Sequence, residues 1–374
     1  MTTQPAPSRR VALFLPNLCS GGAERITVHL ANGLVRQGYQ VDMVLIQAEG
    51  AFLADLSSNV RVVNLNARRV LRAIPRLASY LRSKRPDVLI SALDHVNIGA
   101  ILAKRLSGTG IPTVVAVHVT HSRDAANKRG VKQRVLRAAI RWCYRRADAI
   151  VCVSRGVADD LVRVTGVRPE QVRVIYNPVI TDRLQELAHE PVSHPWFAAG
   201  EPGVIMAVGS LTPPKDFATL IRAFALLHKS RRERLMILGE GPERNRLESL
   251  LRDLGLEESV TMPGFDRNPY SYLARAALFV LSSAWEALPT VLIEALAVGT
   301  PVVATDCQNG PREILRDGEY GELVPVGDAQ ALACAMSKNL SSPRRVVTPE
   351  AILPYALNSA VDQYCHLITE LTRA

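Results

Sequence analysis

The 374-residue sequence is poor in several features that mark other classes of protein. Aromatic residues make up only 5% of it, and none of the six cysteines forms a Cys-x-x-Cys pair. These scattered cysteines indicate reduced thiols of a cytoplasmic protein rather than disulfides or a zinc site. No apolar run reaches the roughly 18 residues that a membrane-spanning helix needs. The short run VALFL is followed at once by PNLCSGGAER, so it predicts a buried strand and not a signal peptide.

Charge is distributed unevenly between the two halves of the chain. Residues 1–185 contain 28 Lys+Arg against 12 Asp+Glu, a net charge of +16, whereas residues 186–374 contain 17 against 23, a net charge of −6. The basic half therefore indicates an anionic partner, such as an anionic lipid or a phosphorylated acceptor, with a merely solvated basic surface as the alternative. Nucleic acid is disfavoured, because the basic stretches lack interleaved aromatic residues.

Short apolar runs alternate with longer segments of helical spacing along the whole chain. This alternation predicts an α/β protein whose parallel sheets are covered by helices on both faces. The pattern lapses at 179–202, a proline-containing segment without a clear period, and then resumes. We therefore predict an N-terminal domain at 1–180 and a C-terminal domain at 200–352, with a last helix at about 355–374 that could return to the first domain. The predicted strands are 10–16, 40–46, 60–65, 87–91, 113–118, 149–154 and 171–178, then 203–210, 234–241, 259–265, 278–283, 301–306 and 320–326.

Two loops that follow predicted strands could bind an anion. The first, PNLCSGGAERI, places Gly21 and Gly22 just before a helix, where free backbone N–H groups attract phosphate. A plain structural turn explains this loop equally well. The second, GSLTPPKDF, places Lys215 beyond a double proline near the carboxyl end of a strand, where ligands bind in open parallel sheets.

The segment SSAWEALPTVLIEALAVGTPVVATD carries the strongest signal. Pro289 suits the first turn of a helix and Gly299 suits its end, so the spacing predicts a helix from about Pro289 to Val298. The backbone N–H groups near Thr290 and Val291 have no partner within such a helix and could bind a diphosphate. Glu286 then precedes the helix and Glu294 lies inside it, where each carboxylate could accept hydrogen bonds from sugar or ribose hydroxyls. A capping Glu286 and an exposed Glu294 are the alternative.

This segment and the motifs around it resemble retaining family-4 glycosyltransferases of the GT-B fold. The resemblance includes GGAER, ADAIVCVS, VIYNP, the Lys215 loop, PGF at 263–265, the two glutamates, GPREIL and DGEYGELVPVGD, in this order. It covers about residues 10–335 and is strongest for enzymes of bacterial surface-polysaccharide assembly. It implies two doubly wound Rossmann-like domains that face each other across a cleft, with the acceptor domain first and the nucleotide-sugar donor domain second.

The resemblance also implies roles for individual residues. Lys215 would bind the diphosphate with the Gly21–Gly22 loop, Glu286 would contact the transferred sugar, and Glu294 would contact the ribose. His118 would lie near the reacting centre, although His121, three residues later, is a second candidate. We accordingly expect His118, Glu286 and Lys215 to be catalytic. The expected donor-binding residues are Gly21, Gly22, Ser210, Lys215, Gly264, Phe265, Glu286, Leu288, Pro289, Thr290, Val291 and Glu294.

The sequence departs from its relatives at one position. Many of them have an arginine where this chain has Ser210, so either Lys215 binds the diphosphate alone or another cation such as Arg25 compensates. The chain also lacks the Asp-x-Asp pair that holds a metal in GT-A glycosyltransferases. We therefore expect no metal and no cofactor.

The function implied is retaining transfer of a hexosyl or N-acetylhexosaminyl group from a nucleotide-diphosphate sugar to a glycan or lipid-linked acceptor. By resemblance, UDP is the favoured nucleotide. The alternatives are a GT-B nucleotide-sugar epimerase and a non-catalytic sugar- or anion-binding protein. Two basic amphipathic stretches, 68–85 and 128–146, further predict peripheral docking on the inner face of the cell membrane. The apolar stripe of the second stretch could equally pack on the sheet.

Overall fold

The computed structural model describes residues 9–19, 21–122, 131–343 and 347–373. Its contacts divide the chain into two compact units. Unit 1 is Met1–Pro178 with Tyr355–Ala374, and unit 2 is Val179–Pro354. Residues 128–130 of the second basic stretch lie outside the described residues.

Unit 1 is built on a parallel sheet of seven strands in the order β3-β2-β1-β4-β5-β6-β7. Chain order reverses between β1 and β4, which are neighbours in space although β2 and β3 separate them in sequence. The strands are β1 (Arg10–Leu15), β2 (Gln40–Leu45), β3 (Val60–Asn64), β4 (Val88–Ala92), β5 (Thr113–Val117), β6 (Ala149–Cys152) and β7 (Val172–Val174). The helices are α1 (Gly22–Arg36), α2 (Val70–Lys84), α3 (Asp94–Ser107), α4 (Val131–Tyr144), α5 (Arg155–Thr165) and, at the C-terminal end of the chain, α14 (Leu357–Arg373).

Strand β1 shows how both faces of this sheet become buried. Its residues Val11 and Leu13 join one core cluster, whereas Ala12 and Phe14 join another. This alternation follows from the two-residue period of a strand. Helices α1 and α14 cover the first face, and α2 and α3 cover the second. The last helix, α14, therefore packs within unit 1, where the side chain of Val361 lies close to Gly33 of α1.

Unit 2 repeats the arrangement with six parallel strands in the order β10-β9-β8-β11-β12-β13. The strands are β8 (Val204–Val208), β9 (Arg234–Leu238), β10 (Val260–Gly264), β11 (Leu278–Leu281), β12 (Val302–Thr305) and β13 (Glu322–Val324). The helices are α6 (Asp182–His189), α7 (Phe217–His228), α8 (Arg244–Leu254), α9 (Pro269–Arg275), α10 (Thr290–Ala297), α11 (Pro311–Ile314), α12 (Ala329–Ser341) and α13 (Pro349–Ile352). Chain order reverses between β8 and β11, and ligands of such sheets bind at this point, outside the carboxyl ends of the strands.

The apolar stripe of the first basic stretch packs inward. Leu77 and Leu81 of α2 are fully buried in the core cluster that includes Phe14 of β1. The apolar stripe of α2 therefore belongs to the core of unit 1 and is not available to a membrane. Its cations Arg72, Arg82 and other basic residues remain exposed.

Candidate active site

The carboxyl ends of β8 and β11 bring two distant loops of unit 2 together. The loop after β8 contains Pro213 and Pro214, which form a 3-10 turn that ends at Lys215. Asp216 follows in the left-handed conformation, and its side chain accepts a hydrogen bond from the backbone N–H of Thr219, capping α7. Lys215 is thus held between a rigid turn and a capped helix.

The loop after β11 meets Lys215 directly. The Nζ atom of Lys215 lies 2.6 Å from Oε1 of Glu286, and the hydroxyl of Ser283 donates to the same oxygen at 2.7 Å. The hydroxyl of Ser282 donates to the carbonyl of Lys215, and the N–H of Ala284 donates to the carbonyl of Pro214, both at 2.8 Å. Only 22% of the Lys215 side chain and 13% of the Glu286 side chain are exposed. A cation and a carboxylate are therefore fixed side by side where this sheet would bind a ligand.

Helix α10 begins four residues after Glu286. Pro289 is its N-cap residue and supplies no side-chain hydrogen bond, so the N–H groups of Thr290 and Val291 have no acceptor within the helix. The helix ends at Ala297, and Gly299 has a φ of +76°, which suits glycine beyond a helix end. Leu288 and Val291 are buried, and Glu294 is only 3% exposed. The alternative interpretation of the sequence, in which Glu294 is exposed, is therefore wrong.

A glycine ends or directly follows each of three adjacent strands of unit 2. Gly209, Gly239 and Gly264, at the ends of β8, β9 and β10, all have positive φ. A Cβ atom on Gly239 would lie 2.0 Å from the carbonyl oxygen of Gly209, so no larger residue fits there. The result is a row of bare backbone that extends from the Lys215 loop to Phe265, whose side chain is 74% exposed. Such a surface allows a flat ligand to approach the main chain closely.

Ser210 is exposed beside this row, and its carbonyl accepts a hydrogen bond from the backbone N–H of Thr212. It places no charge near Lys215. Arg25, the residue considered as a substitute, lies in the first turn of α1 in unit 1.

A carboxylate lies close to the glycine loop of unit 1, which contains Gly21 and Gly22. Helix α1 begins at Gly22, and a Cβ atom on Gly21 would lie 1.8 Å from Oε2 of Glu24. Glu24 therefore stands at the positive end of the helix dipole, where an anion is stabilised. The same charge opposes a diphosphate at Gly21 and Gly22 unless Glu24 turns away.

The two candidate histidines of unit 1 have different surroundings. His121 is buried, and its Nε2 lies 3.2 Å from Oδ1 of Asp94, which also accepts a hydrogen bond from the hydroxyl of Tyr144 at 2.6 Å. Burial raises the pKa of Asp94, but the hydrogen bonds from His121 and Tyr144 outweigh it and the pKa is lowered overall. His118 follows β5, is half-buried, and lines a small pocket with Ser91 and Asn177. Burial lowers the pKa of His118 to about 4, against the raising effect of the nearby Asp94 charge.

Sequence reasoning missed the polar groups around these histidines. Asp94 follows β4 after a single linking residue. Lys215 was identified as a candidate because it lies just beyond the end of a strand, and the same pattern could have identified Asp94. Tyr144 gives no such signal, because it lies near the end of a helix that is remote from Asp94 in sequence. Among the described residues, no group of three or more histidine, cysteine, aspartate or glutamate side chains is arranged to hold a metal ion.

Two family models match the chain. Residues 20–183 match "Glycosyltransferase Family 4", and residues 193–352 match "Glycosyl transferases group 1". The lipopolysaccharide core biosynthesis glycosyltransferase LpsE of Rhizobium meliloti is 30% identical over 323 residues, which are 85% of each chain.

A second relative acts on a lipid-linked glycan. The Campylobacter jejuni N-acetylgalactosamine-N,N'-diacetylbacillosaminyl-diphospho-undecaprenol 4-alpha-N-acetylgalactosaminyltransferase is 29% identical over 332 residues, covering 87% of this chain and 88% of the relative. Among solved structures, Anabaena HepE in complex with UDP-glucose superposes with a TM-score of 0.78 at 20% identity, covering 96% of this chain and 99% of HepE. The two parallel α/β sheets are therefore the GT-B fold, as predicted.

Proposed function

The chain belongs to the family-4, group-1 glycosyltransferases, and on that premise we propose that it transfers a hexosyl or N-acetylhexosaminyl group from a UDP-sugar to a glycan or lipid-linked acceptor. The surface-polysaccharide or glycolipid products of such a reaction match the described roles of the relatives. The observation that carries the proposal is the Lys215–Glu286 pair beside the uncapped start of α10.

Each part of this site has a role in the proposed reaction. Lys215 and the N–H groups of Thr290 and Val291 stabilise the negative charge that develops on the leaving diphosphate. Glu286 accepts hydrogen bonds from hydroxyls of the transferred sugar, and Glu294 accepts them from the ribose. The bare backbone at Gly264 and the exposed Phe265 receive the base. UDP is favoured as the nucleotide because HepE was solved with UDP-glucose.

The transfer proceeds with retention of configuration. The diphosphate leaves the anomeric carbon as the acceptor hydroxyl approaches on the same face, and a leaving phosphate oxygen takes the proton of that hydroxyl. Of the two candidate histidines we favour His118 for a role in the reaction, because the ring of His121 is already bonded to Asp94. Lys215 and the helix start supply the positive charge that a metal supplies in other transferases.

A screen of purified protein against UDP- and GDP-sugars tests the function. Slow hydrolysis of one UDP-sugar, and transfer to an undecaprenyl-diphosphate glycan, are expected. Proton NMR of the first-formed product should give the same anomeric configuration as the donor. Epimerisation of the donor without acceptor, or binding without any turnover of the sugars tested, would contradict a transferase.

We further propose that unit 1 docks on an anionic membrane surface, where a lipid-linked acceptor would lie, at the inner face of the cell membrane. No helix in the described part of the chain is long and apolar enough to cross a bilayer. Helices α2, α3 and α4 lie side by side on one face of the sheet: the guanidinium of Arg82 donates to the carbonyl of Leu106, and Arg105 and Arg146 lie over the ring of Trp142.

This face combines cations with exposed apolar side chains. Leu106 is 52% exposed and Trp142 38% exposed, and Leu71 and Val135 are exposed as well. Tryptophan and leucine ringed by arginine suit the headgroup region of a bilayer, where each cation contributes on the order of 1 kcal/mol. These side chains, and not the buried stripe of α2, would make the contact.

A further inference from the structure

A small pocket in unit 1 is lined by two mostly buried polar side chains that make no side-chain hydrogen bond within the described residues. It opens at the carboxyl edge of the sheet and lies between α1, the residues after β5 and β7, and α14. Asn177 and Tyr364 line it, and each is only 7% exposed. Among the described residues, neither the amide of Asn177 nor the hydroxyl of Tyr364 makes a side-chain hydrogen bond. Neither residue is among those of the described chain with a completely buried polar atom that lacks a partner, so the polar atoms of Asn177 and Tyr364 keep some exposure and can bond to a polar ligand group.

The chemistry of the lining selects an uncharged group. His118 lines the pocket beside Asn177 and Tyr364, and because burial lowers its pKa to about 4, its ring is neutral at pH 7. An amide, a phenol and a neutral imidazole each offer both a donor and an acceptor. No carboxylate, ammonium or guanidinium group belongs to the lining that the structure describes. A carboxylate or phosphate there would be desolvated without a counter-charge.

The apolar walls and the small size of the pocket further restrict which ligand group it can hold. Ile26, Leu30 and Ile175 form apolar walls that suit C–H groups, and the enclosed space holds about one water molecule or a substituent of similar size. A sugar hydroxyl or hydroxymethyl group fits these limits. We propose that Asn177 and Tyr364, beside His118, form a subsite that binds an uncharged hydroxyl-bearing part of a sugar and excludes acidic sugars. The proposal rests on the proposed glycosyltransferase function and adds two residues to its site.

Calorimetry with the full chain tests the subsite, using Asn177→Leu and Tyr364→Phe. Tyr320→Phe is the control, since it removes a hydroxyl that contacts Arg316 and does not line the pocket. The free probes are methyl glucoside and methyl glucuronide, with and without UDP, and the donor probes are UDP, UDP-glucose and UDP-glucuronic acid. Each variant should lose about three- to tenfold in affinity for the neutral sugar, as expected for one lost hydrogen bond, and keep wild-type affinity for UDP.

The two sets of probes identify which sugar enters the pocket. A loss confined to UDP-glucose assigns the subsite to the transferred sugar, and a loss confined to methyl glucoside assigns it to the acceptor. Wild-type affinity of both variants for both neutral probes overturns the subsite, as does binding of the glucuronide probes as tightly as the neutral ones. Because Tyr364→Phe removes a single oxygen atom, it remains informative if Asn177→Leu fails to fold. Absence of UDP binding by the wild type would instead count against the proposed function.

Discussion

Replacing Lys215 by alanine tests the centre of the proposed site. The change removes the ammonium group that lies 2.6 Å from Glu286, while the 3-10 turn of Pro213 and Pro214 and the Ser282 contact to the main chain can persist. Glu286 keeps the hydrogen bond that it accepts from the hydroxyl of Ser283. The variant should therefore fold, with a local loss of positive charge.

The expected costs differ for stability, binding and turnover. Leaving the mostly buried Glu286 carboxylate without its cation should cost about 1–3 kcal/mol of the free energy of unfolding. Loss of one charge-assisted hydrogen bond to a diphosphate, about 1.5–3 kcal/mol, corresponds to a roughly ten- to hundredfold weaker UDP affinity. Turnover should fall by about 10²–10³, as when a single transition-state donor is removed.

A lysine–glutamate pair elsewhere in unit 2 provides a matched control. Lys338 lies 3.2 Å from Glu322, but its side chain is 64% exposed. An exposed pair contributes about 0–1 kcal/mol, so Lys338→Ala should leave stability and UDP affinity nearly unchanged. Calorimetric titration with UDP, thermal unfolding and initial rates should be measured for both variants.

The double variant Lys215→Ala/Glu286→Gln separates two explanations. If Lys215 serves only to neutralise Glu286, removing the carboxylate charge as well should restore both stability and UDP affinity. If Lys215 binds the diphosphate, stability should recover in part and UDP affinity should not. Equal UDP affinity of the wild type and the single variant would refute the assignment of Lys215.

Four further outcomes are expected. Glu294→Ala should abolish donor binding or transfer while circular dichroism shows a folded protein. Full activity of the variant would show that Glu294 does not bind the donor ribose, and unfolding would show that its role is structural. Activity should survive EDTA; complete loss that Mg²⁺ or Mn²⁺ restores would contradict the metal-free mechanism. Because the pKa of His118 is lowered from 6.5 to about 4, the unfolded chain binds a proton in this interval that the folded chain does not, so stability should fall as pH decreases from about 6.5 to 4. His118→Asn should lessen that fall in urea titrations, and an identical pH dependence in the variant would argue against the buried neutral ring. The protein should sediment with anionic vesicles at low salt, but not at high salt and not with neutral vesicles. The double variant Trp142→Ala/Arg105→Glu should bind the anionic vesicles more weakly. Equal binding to both vesicle types would reject docking.

Local patterns in the sequence determined the elements and the fold class of this protein. Of the thirteen strands in the described residues, twelve lie within the predicted runs, and β4 extends one residue beyond its run, to Ala92. The prediction of parallel α/β sheets is confirmed. The helix expected from Pro289 to Val298 is observed at Thr290–Ala297. These features were accessible because a strand period, a proline at a helix start and a glycine beyond its end act over a few residues.

Only the tertiary structure decided which of the chemically useful side chains meet. Lys215 and Glu286 are 71 residues apart, and they touch because strand order places β11 beside β8. In the same way, the pairing of β4 with β5 brings Asp94 to His121 and leaves His118 to line the pocket. The helical spacing of the α2 sequence predicted an apolar stripe but could not show which surface that stripe packs against. Contacts between distant segments depend on the order of strands in the sheet, which no local period or spacing encodes.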